Sequence, residues 1–246
     1  MAEHAAPVTV VVPTYNERPN LTTLVERVLA LGPRYRLLVV DDGSPDGTGD
    51  LADALAAAHP DHIAVIHRAR KEGIGPAYRA GFQRALAEGA PLIAQMDADL
   101  SHDPVDLPRL VAAAEAADLA IGSRYAPGGA TVGWSLWRRW LSAAGCRYAR
   151  MVLGLDIADL TGGFKVWRRE TLAALDLDSI AADGYGFQIE TTTRAVWDGA
   201  HAVEVPICFH ERVAGASKLS RRIVVEAALL VWRLRVSAAR TRHRPN

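Results

Sequence analysis

Leu92-Ile-Ala-Gln-Met-Asp-Ala-Asp99 joins a short apolar run directly to two carboxylates one residue apart. A run of this length, bounded by polar residues, suits a buried strand, and it places Asp97 and Asp99 at the strand's carboxyl end. The pattern recurs on both sides. Val8 to Val12 leads into Pro13-Thr-Tyr-Asn-Glu17, Leu37 to Val40 into Asp41-Asp-Gly-Ser-Pro-Asp-Gly47, and Ile63 to Ile66 into Arg68-Ala-Arg-Lys-Glu-Gly-Ile-Gly75. Leu119 to Ile121 leads into Gly122-Ser-Arg-Tyr125. Segments with helical spacing, Leu21 to Leu31, Leu51 to Ala58, Ala77 to Leu86 and Leu107 to Ala114, separate these runs. Such alternation predicts an α/β fold: a mostly parallel, Rossmann-like central sheet flanked by helices, with ligands gathered at the carboxyl ends of the strands.

The second half is less regular. Trp134 to Trp140 leads into a helix ending near Leu153, and the turn Thr161-Gly-Gly163 precedes a strand from Phe164 to Trp167. A helix over Glu190 to Trp197, a strand over Ala202 to Phe209 and a last helix over Leu219 to Ala239 complete the pattern, before a basic tail from Arg240 to Asn246. A chain of 246 residues buries a full core in a single domain. The expected organisation is a catalytic domain over 1–218, followed over 219–246 by an amphipathic helix and tail that face a membrane or a partner.

Composition narrows the function. Lys plus Arg and Asp plus Glu number 28 each, so no excess of positive charge points to nucleic acid. Cys146 and Cys208 are the two cysteines, without CxxC spacing, which fits a reducing compartment and no structural zinc. The segment before Val8 lacks the basic and apolar regions of a signal peptide, and the apolar stretch Ile223 to Trp232 is broken by Glu226 and too short to span a bilayer. The expected location is the cytoplasm, peripheral on the cytoplasmic face of a membrane.

Asp97 and Asp99 offer hard oxygen ligands from one turn, suited to Mg²⁺ or Mn²⁺ bridged to phosphates. The same triplet also reads as a solvated acidic turn, with Asp103 before Pro104 as a helix cap. Asp42 in the second loop can accept hydrogen bonds from a base or ribose, or belong to an ordinary Asx turn. Tyr15 in the first loop can lie against a nucleobase or simply pack. The three loops gain weight together, because they open on one edge of the sheet.

Taken in order, Val10-Val-Val-Pro-Thr-Tyr-Asn-Glu17, Val39-Val-Asp-Asp-Gly-Ser-Pro-Asp-Gly-Thr48, Gly73-Ile-Gly75, Asp97-Ala-Asp-Leu100, Gly122-Ser-Arg124 and Gly215-Ala-Ser-Lys-Leu219 resemble the polyprenol (dolichol) phosphate mannose synthases. These are family 2 glycosyltransferases of the GT-A fold. The resemblance implies GDP-mannose as donor, a polyprenyl monophosphate as acceptor and a divalent metal as cofactor. It further implies that Pro13, Tyr15, Glu17, Val40, Asp42 and Lys71 hold the donor together with Asp97, Ala98 and Asp99, and that Asp97, Asp99 and Ser101 lie at the metal. Ser101 stands where relatives often carry Gln. Arg124, Arg212 and Lys218 match basic positions that face the diphosphate or the acceptor phosphate, and Arg138 with Ser142 matches an acceptor-phosphate pair. Gln188 and Glu190, in Gly186-Phe-Gln-Ile-Glu190, are candidates for the sugar pocket or a polar helix start.

The acceptor is itself acidic. A phosphate monoester has a second pKa near ~6 and is already a nucleophilic oxyanion at neutral pH. No strong general base is required, and a single displacement inverts the anomeric centre to give a β-linked product from an α-linked donor. In the last helix, Arg222, Glu226, Arg233 and Arg240 share a narrow stripe, whereas Leu219, Ile223, Ala227, Leu230 and Leu234 begin a broad apolar face. Trp134, Trp137 and Trp140, interleaved with Arg138 and Arg139, form a second segment suited to a membrane surface. Both segments also suit packing against the sheet. A polytopic membrane protein partner is a further expectation drawn from the family. Alternatives are transfer of glucose from UDP-glucose to the same lipids and a non-catalytic sugar-nucleotide-binding subunit. A dinucleotide-dependent oxidoreductase is disfavoured, since no GxGxxG follows the first strand.

Overall fold

A computed structural model of the chain describes residues 6–180, 182–211 and 228–237. Strands β1 (Val8–Thr14), β2 (Tyr35–Asp41), β3 (Ile63–His67), β4 (Leu92–Gln95) and β5 (Leu119–Ser123) fall where apolar runs predict them. Helices α1 (Arg18–Leu29), α2 (Thr48–Ala58), α3 (Ile74–Ala87) and α4 (Leu107–Ala116) connect them. Beyond these lie β6 (Ala130–Val132), α5 (Leu136–Leu153), β7 (Lys165–Arg168), α6 (Arg169–Ala174), α7 (Tyr185–Trp197), β8 (Ala202–Pro206), β9 (Cys208–His210) and a helix over 228–237, here α8. The main sheet has the order β3-β2-β1-β4-β7-β5-β8, and β7 alone runs antiparallel to its neighbours.

Side-chain alternation along the strands builds a core on each face of the sheet. Val10, Val12, Leu37 and Val39 pack on the α1 side with Leu21, Leu24 and Val28. Val11, Leu38 and Val40 pack on the α3 side with Tyr78, Phe82 and Phe187. Each fully buried Val, Leu or Phe contributes roughly 1.5–3 kcal/mol, so this double-sided burial is the main stabilising term. Gly81 lets α3 lie close on the sheet: a Cβ there would fall 2.3 Å from Val11 Cγ1. Val231 and Leu234 of α8 are buried in the same core, whereas Leu229, Trp232 and Val236 are exposed. The division at 218/219 rests on residues partly outside those described, and α8 both packs on the core and presents an apolar outer face.

Two sequence expectations change. The single strand expected over Ala202 to Phe209 is two strands in two sheets, β8 in the main sheet and β9 paired with β6. Pro206 has no N–H to continue the ladder, and at Ile207 the chain crosses over, donating to Ser123 and accepting from Ala130. Helix α7 starts at Tyr185, ahead of the expected Glu190, because Gly184 at positive φ sets the entry. Its buried Gln188, Glu190, Thr191, Thr192 and Thr193 conceal the helical period from a hydropathy reading.

Candidate active site

The carboxyl ends of β1, β2 and β4 open into one cavity. It is lined by Pro13, Thr14, Tyr15 and Glu17 from the first turn, Asp42 from the second, Lys71, Gly73, Ile74 and Ala77 from the α3 entry, and Asp97, Ala98 and Asp99 from the fourth strand end. Eight of the nine residues expected at the donor therefore share one cavity wall. The exception is Val40, whose side chain is fully buried in the core. Strand alternation turns the Val40 side chain to the sheet face that α3 covers.

Each turn is tied down locally. Asp41, not Asp42, organises the second: its carboxylate accepts from Thr14 Oγ1 at 3.1 Å, Ser44 N at 3.0 Å and Ser44 Oγ at 2.5 Å. Asp42 is left for the cavity, held by Arg68 at 2.5 Å. Burial pushes its carboxyl pKa up, against the pull of Arg68. The Lys71 ammonium lies 3.8 Å from the Tyr15 ring centroid, so the two form one wall by a cation–π contact.

The Asp97-Ala-Asp99 turn is the most elaborately supported. Tyr78 Oη donates to Asp97 Oδ1 at 3.0 Å, and burial followed by the nearby carboxylates holds the phenol well above its usual pKa, keeping it a donor. His102 is buried, stacked on Phe164, and its Nδ1 accepts from the Asp97 backbone N–H at 3.3 Å. Burial lowers the His102 pKa, consistent with a neutral imidazole in that role. Leu100 adopts φ 60°, a left-handed conformation uncommon for a non-glycine residue, which turns Ser101 back onto Asp99. Ser101 N and Oγ both donate to Asp99 Oδ1, at 3.1 and 2.5 Å. Ser101 was expected at the metal; its hydroxyl donates to Asp99 and so orients that carboxylate, while its oxygen lone pairs remain.

Arg124, expected to face the diphosphate or the acceptor phosphate, is buried and clasped by Asp159: Nε donates at 2.7 Å, Nη2 at 2.6 Å and the backbone N–H at 3.0 Å. Nη2 donates further to Thr161 Oγ1 at 2.7 Å, so Nη1 is the guanidinium nitrogen outside this set. Tyr125, Trp134 and Phe209 ring the guanidinium at 5.3–5.5 Å. Arg138 stacks 4.1 Å over Trp134 and pairs with Glu211 at 2.9 Å. Among the described residues, Tyr125 Oη and Trp134 Nε1 are buried without a hydrogen-bond partner, and Ser142 lies beside the phenol without a bond of standard geometry. Buried donors of this kind cost about 1–3 kcal/mol each when unmet, so a polar ligand is the expected complement.

Gln188 and Glu190 separate. Gln188 is buried at the end of a polar chain through Gln95 and Lys165, near Gly163 and Asp97. Glu190, expected in the sugar pocket or at a polar helix start, is paired with Arg194 at 2.5 Å and accepts from the Ala182 N–H. Arg212 and Lys218 lie outside the described residues. Sequence reading missed Tyr78, His102, Asp159 and Lys165. His102 alone left a trace, as a polar residue in the strand-end loop.

Residues 9–175 match the family model described as glycosyl transferase family 2. The chain belongs to that family. This glycosyltransferase is 50% identical over 237 residues to a polyprenol monophosphomannose synthase of Mycolicibacterium smegmatis, covering 95% of this chain and 89% of the relative. It is 48% identical over 228 residues to an undecaprenyl-phosphate mannosyltransferase of Micrococcus luteus, covering 93% of each. Over 232 residues it is 35% identical to a dolichol-phosphate mannosyltransferase of Pyrococcus furiosus, covering 92% of this chain and 63% of that one. Among solved structures, glucosyl-3-phosphoglycerate synthase from Mycobacterium tuberculosis, in complex with Mn²⁺, UDP and glucosyl-3-phosphoglycerate, superposes with TM-score 0.64 at 21% identity, covering 94% of this chain and 80% of that chain. A Pyrobaculum calidifontis mannosyltransferase in complex with GDP-mannose and Mn²⁺ superposes with TM-score 0.58 at 18% identity, covering 99% and 77%. At these identities the likeness establishes the GT-A fold of the glycosyltransferase.

Proposed function

We propose that this glycosyltransferase moves mannose from GDP-mannose to a polyprenyl monophosphate, with inversion at the anomeric carbon. The observation that carries the reading is the single cavity in which Tyr15, Glu17, Asp42, Lys71, Asp97 and Asp99 converge. The names of the relatives supply the sugar and the lipid class.

The cavity is acidic: Glu17, Asp42, Asp97 and Asp99 face it against Lys71. A diphosphate entering such a wall meets repulsion unless a cation intervenes, and the all-oxygen donor set of Asp97 and Asp99 fits Mg²⁺ or Mn²⁺. A divalent ion held there would neutralise the departing diphosphate. Tyr15 and Asp42 serve the nucleoside end, the ring by stacking and the carboxylate by accepting hydrogen bonds. Tyr78, His102 and Ser101 keep the two carboxylates in place. On the acceptor side, Arg138, Ser142, Tyr125 Oη, Trp134 Nε1 and Nη1 of Arg124 would offer donors to a phosphate monoester; Arg212 and Lys218 are assigned to the same phosphate from the sequence match alone. Because the acceptor oxyanion is its own nucleophile, positioning and electrostatics are sufficient for transfer.

The lipid tail calls for an apolar surface outside the site. Leu136, Trp137 and Trp140 of α5 are 80%, 68% and 61% exposed, and the two indoles stack at 5.2 Å. Among the described residues no helix is long and apolar enough to cross a membrane; the exposed apolar side chains of α5 and α8 are what support our assignment of both to a membrane surface, which we place on the cytoplasmic side. A polytopic partner that seats the enzyme there belongs to the same reading. The test is incubation with polyprenyl phosphate vesicles, a divalent cation and radiolabelled GDP-mannose, UDP-glucose or UDP-GlcNAc in parallel. Label entering an organic-soluble, mild-acid-labile product from GDP-mannose supports the assignment, and label from UDP-glucose alone overturns it.

A further inference from the structure

The centre of the sheet carries a run of polar side chains that the donor cavity does not explain. Trp167 Nε1 donates to Gln95 Oε1 at 2.9 Å, and Gln95 Nε2 donates to Gln188 Oε1 at 2.7 Å. Lys165 Nζ reaches the same Gln188 Oε1 at 3.0 Å, the Gln188 backbone oxygen at 3.1 Å and Thr192 Oγ1 at 2.8 Å. Gln95, Lys165, Trp167 and Thr192 are fully buried and Gln188 nearly so. Burial lowers the Lys165 pKa to about 7. A lysine in the middle of a sheet is costly to desolvate, and an apolar side chain would fill the space more cheaply.

The donors fix the direction of this chain. An indole N–H can only donate, so the Gln95 atom it meets is the oxygen, and the Gln95 nitrogen is turned to Gln188. Gln188 must answer with its own oxygen. The Lys165 amine agrees from the other side: as an ammonium it donates to all three neighbours, and as a neutral amine it donates to the two Gln188 oxygens while accepting from the Thr192 hydroxyl. The orientation of the Gln188 amide is thus set by chemistry in either charge state. Its nitrogen faces the opposite way. A Cβ built on Gly163 lies 3.6 Å from Gln188 Nε2 and 3.5 Å from both Asp97 carboxylate oxygens, so the amide NH₂ and the carboxylate border the same small space over Gly163, and Asp97 in turn lines the cavity.

We propose that Lys165, acting with Gln95, is a positioning residue for sugar transfer: it locks the Gln188 amide so that its NH₂ donates to the sugar of the bound donor next to Asp97. This rests on the mannosyl transfer proposed above. It assigns the buried lysine a task that packing alone does not, since the same atoms could not hold Gln188 in the flipped orientation without setting donor against donor.

The full chain is assayed as wild type, Lys165→Met, Gln188→Ala, the double variant and Gln188→Glu. Substrates are GDP-mannose, Mn²⁺ and polyprenyl phosphate, and GDP affinity is measured by calorimetry. Lys165→Met is expected to lower kcat by about 10- to 100-fold, in the range typical of outer-shell partners, with GDP affinity unchanged, since GDP carries no sugar. In the Gln188→Ala background the same change adds less than about twofold, the non-additivity expected of residues acting through one group. Gln188→Glu, ionised against Lys165, keeps both acceptor bonds but presents no donor, and where melting shows it folded it is expected to lose transfer comparably. If Lys165→Met does not fold, the Gln188→Glu result decides. Wild-type kcat in Lys165→Met or Gln188→Glu, or a Lys165→Met loss that persists in full without Gln188, overturns the proposal. A wild-type protein that transfers nothing from GDP-mannose sinks the donor assignment instead, so the two failures are separable.

Discussion

Asp159 holds Arg124 at three points, taking its backbone N–H, Nε and Nη2 within 2.6–3.0 Å, so that one buried carboxylate fixes both the end of β5 and the guanidinium beyond it. Burial alone would raise the Asp159 pKa, but the charge and hydrogen bonds of Arg124 outweigh it and hold the carboxyl below its ordinary value. The same pairing holds Arg124 charged, well above an ordinary guanidinium.

Breaking this pair leaves a charge buried without a partner. Asp159→Ala is expected to cost about 3–5 kcal/mol of stability, as for other buried pairs that lose one member. The sign of the pH dependence follows from the depressed carboxyl: the contribution is complete above the unfolded carboxylate value near ~3.9 and is lost as pH falls through the lower folded value. Thermal melts of wild type and Asp159→Asn from pH 7 down to pH 3 check this. The gap between them should hold steady above about pH 5 and narrow in acid.

Lys165 supplies a slope at the other end of the scale. Burial depresses its pKa to about 7, against a smaller raising influence of Asp159. Between about pH 7 and the unfolded value near ~10.4 the unfolded chain binds the extra proton, so stability rises with pH across that window and is flat from this group below it. Denaturant titrations at pH 6.5, 8 and 9.5 should show a rise in wild type that is absent in Lys165→Met. Parallel profiles for the two proteins would contradict the assignment.

Trp134→Phe removes the indole N–H together with one of its two fused rings and keeps an aromatic face for Arg138. Because Nε1 is buried and without a partner among the described residues, relief of that donor offsets the packing lost with the smaller ring, and the variant is expected to melt close to the wild-type temperature. Its KM for polyprenyl phosphate should rise about threefold to tenfold, the loss of roughly one hydrogen bond, while GDP affinity stays constant. A fall in GDP affinity would place the indole on the donor side instead.

The strands and the donor turns were legible because each is a local pattern, an apolar run that ends in Asp, Asn, Gly or Pro. The site's supports were not. Asp159 and Lys165 gain their roles only when β7 inserts antiparallel between β4 and β5, a pairing that no spacing in the sequence encodes. Val40 and Glu190 sit beside functional positions in sequence and yet point away from the cavity, since strand and helix geometry send neighbouring residues to different faces. Family resemblance located Arg124 and Ser101 but not what they touch.

Ser101→Ala separates support from ligation. If the hydroxyl orients Asp99, its loss should lower transfer about threefold to tenfold, the equivalent of roughly one hydrogen bond, and leave the metal preference unchanged. A changed ranking of Mg²⁺ against Mn²⁺ would instead make Ser101 a ligand.

The central claim is that the turns after β1, β2 and β4 form one donor site completed by a cation at Asp97 and Asp99. Calorimetry of GDP-mannose binding tests it most directly, with Mn²⁺ or with EDTA, in wild type and in Asp97→Asn/Asp99→Asn. The account predicts binding that requires Mn²⁺ in wild type and is lost in the folded double variant; equal affinity with EDTA, or undiminished affinity in the variant, would contradict it.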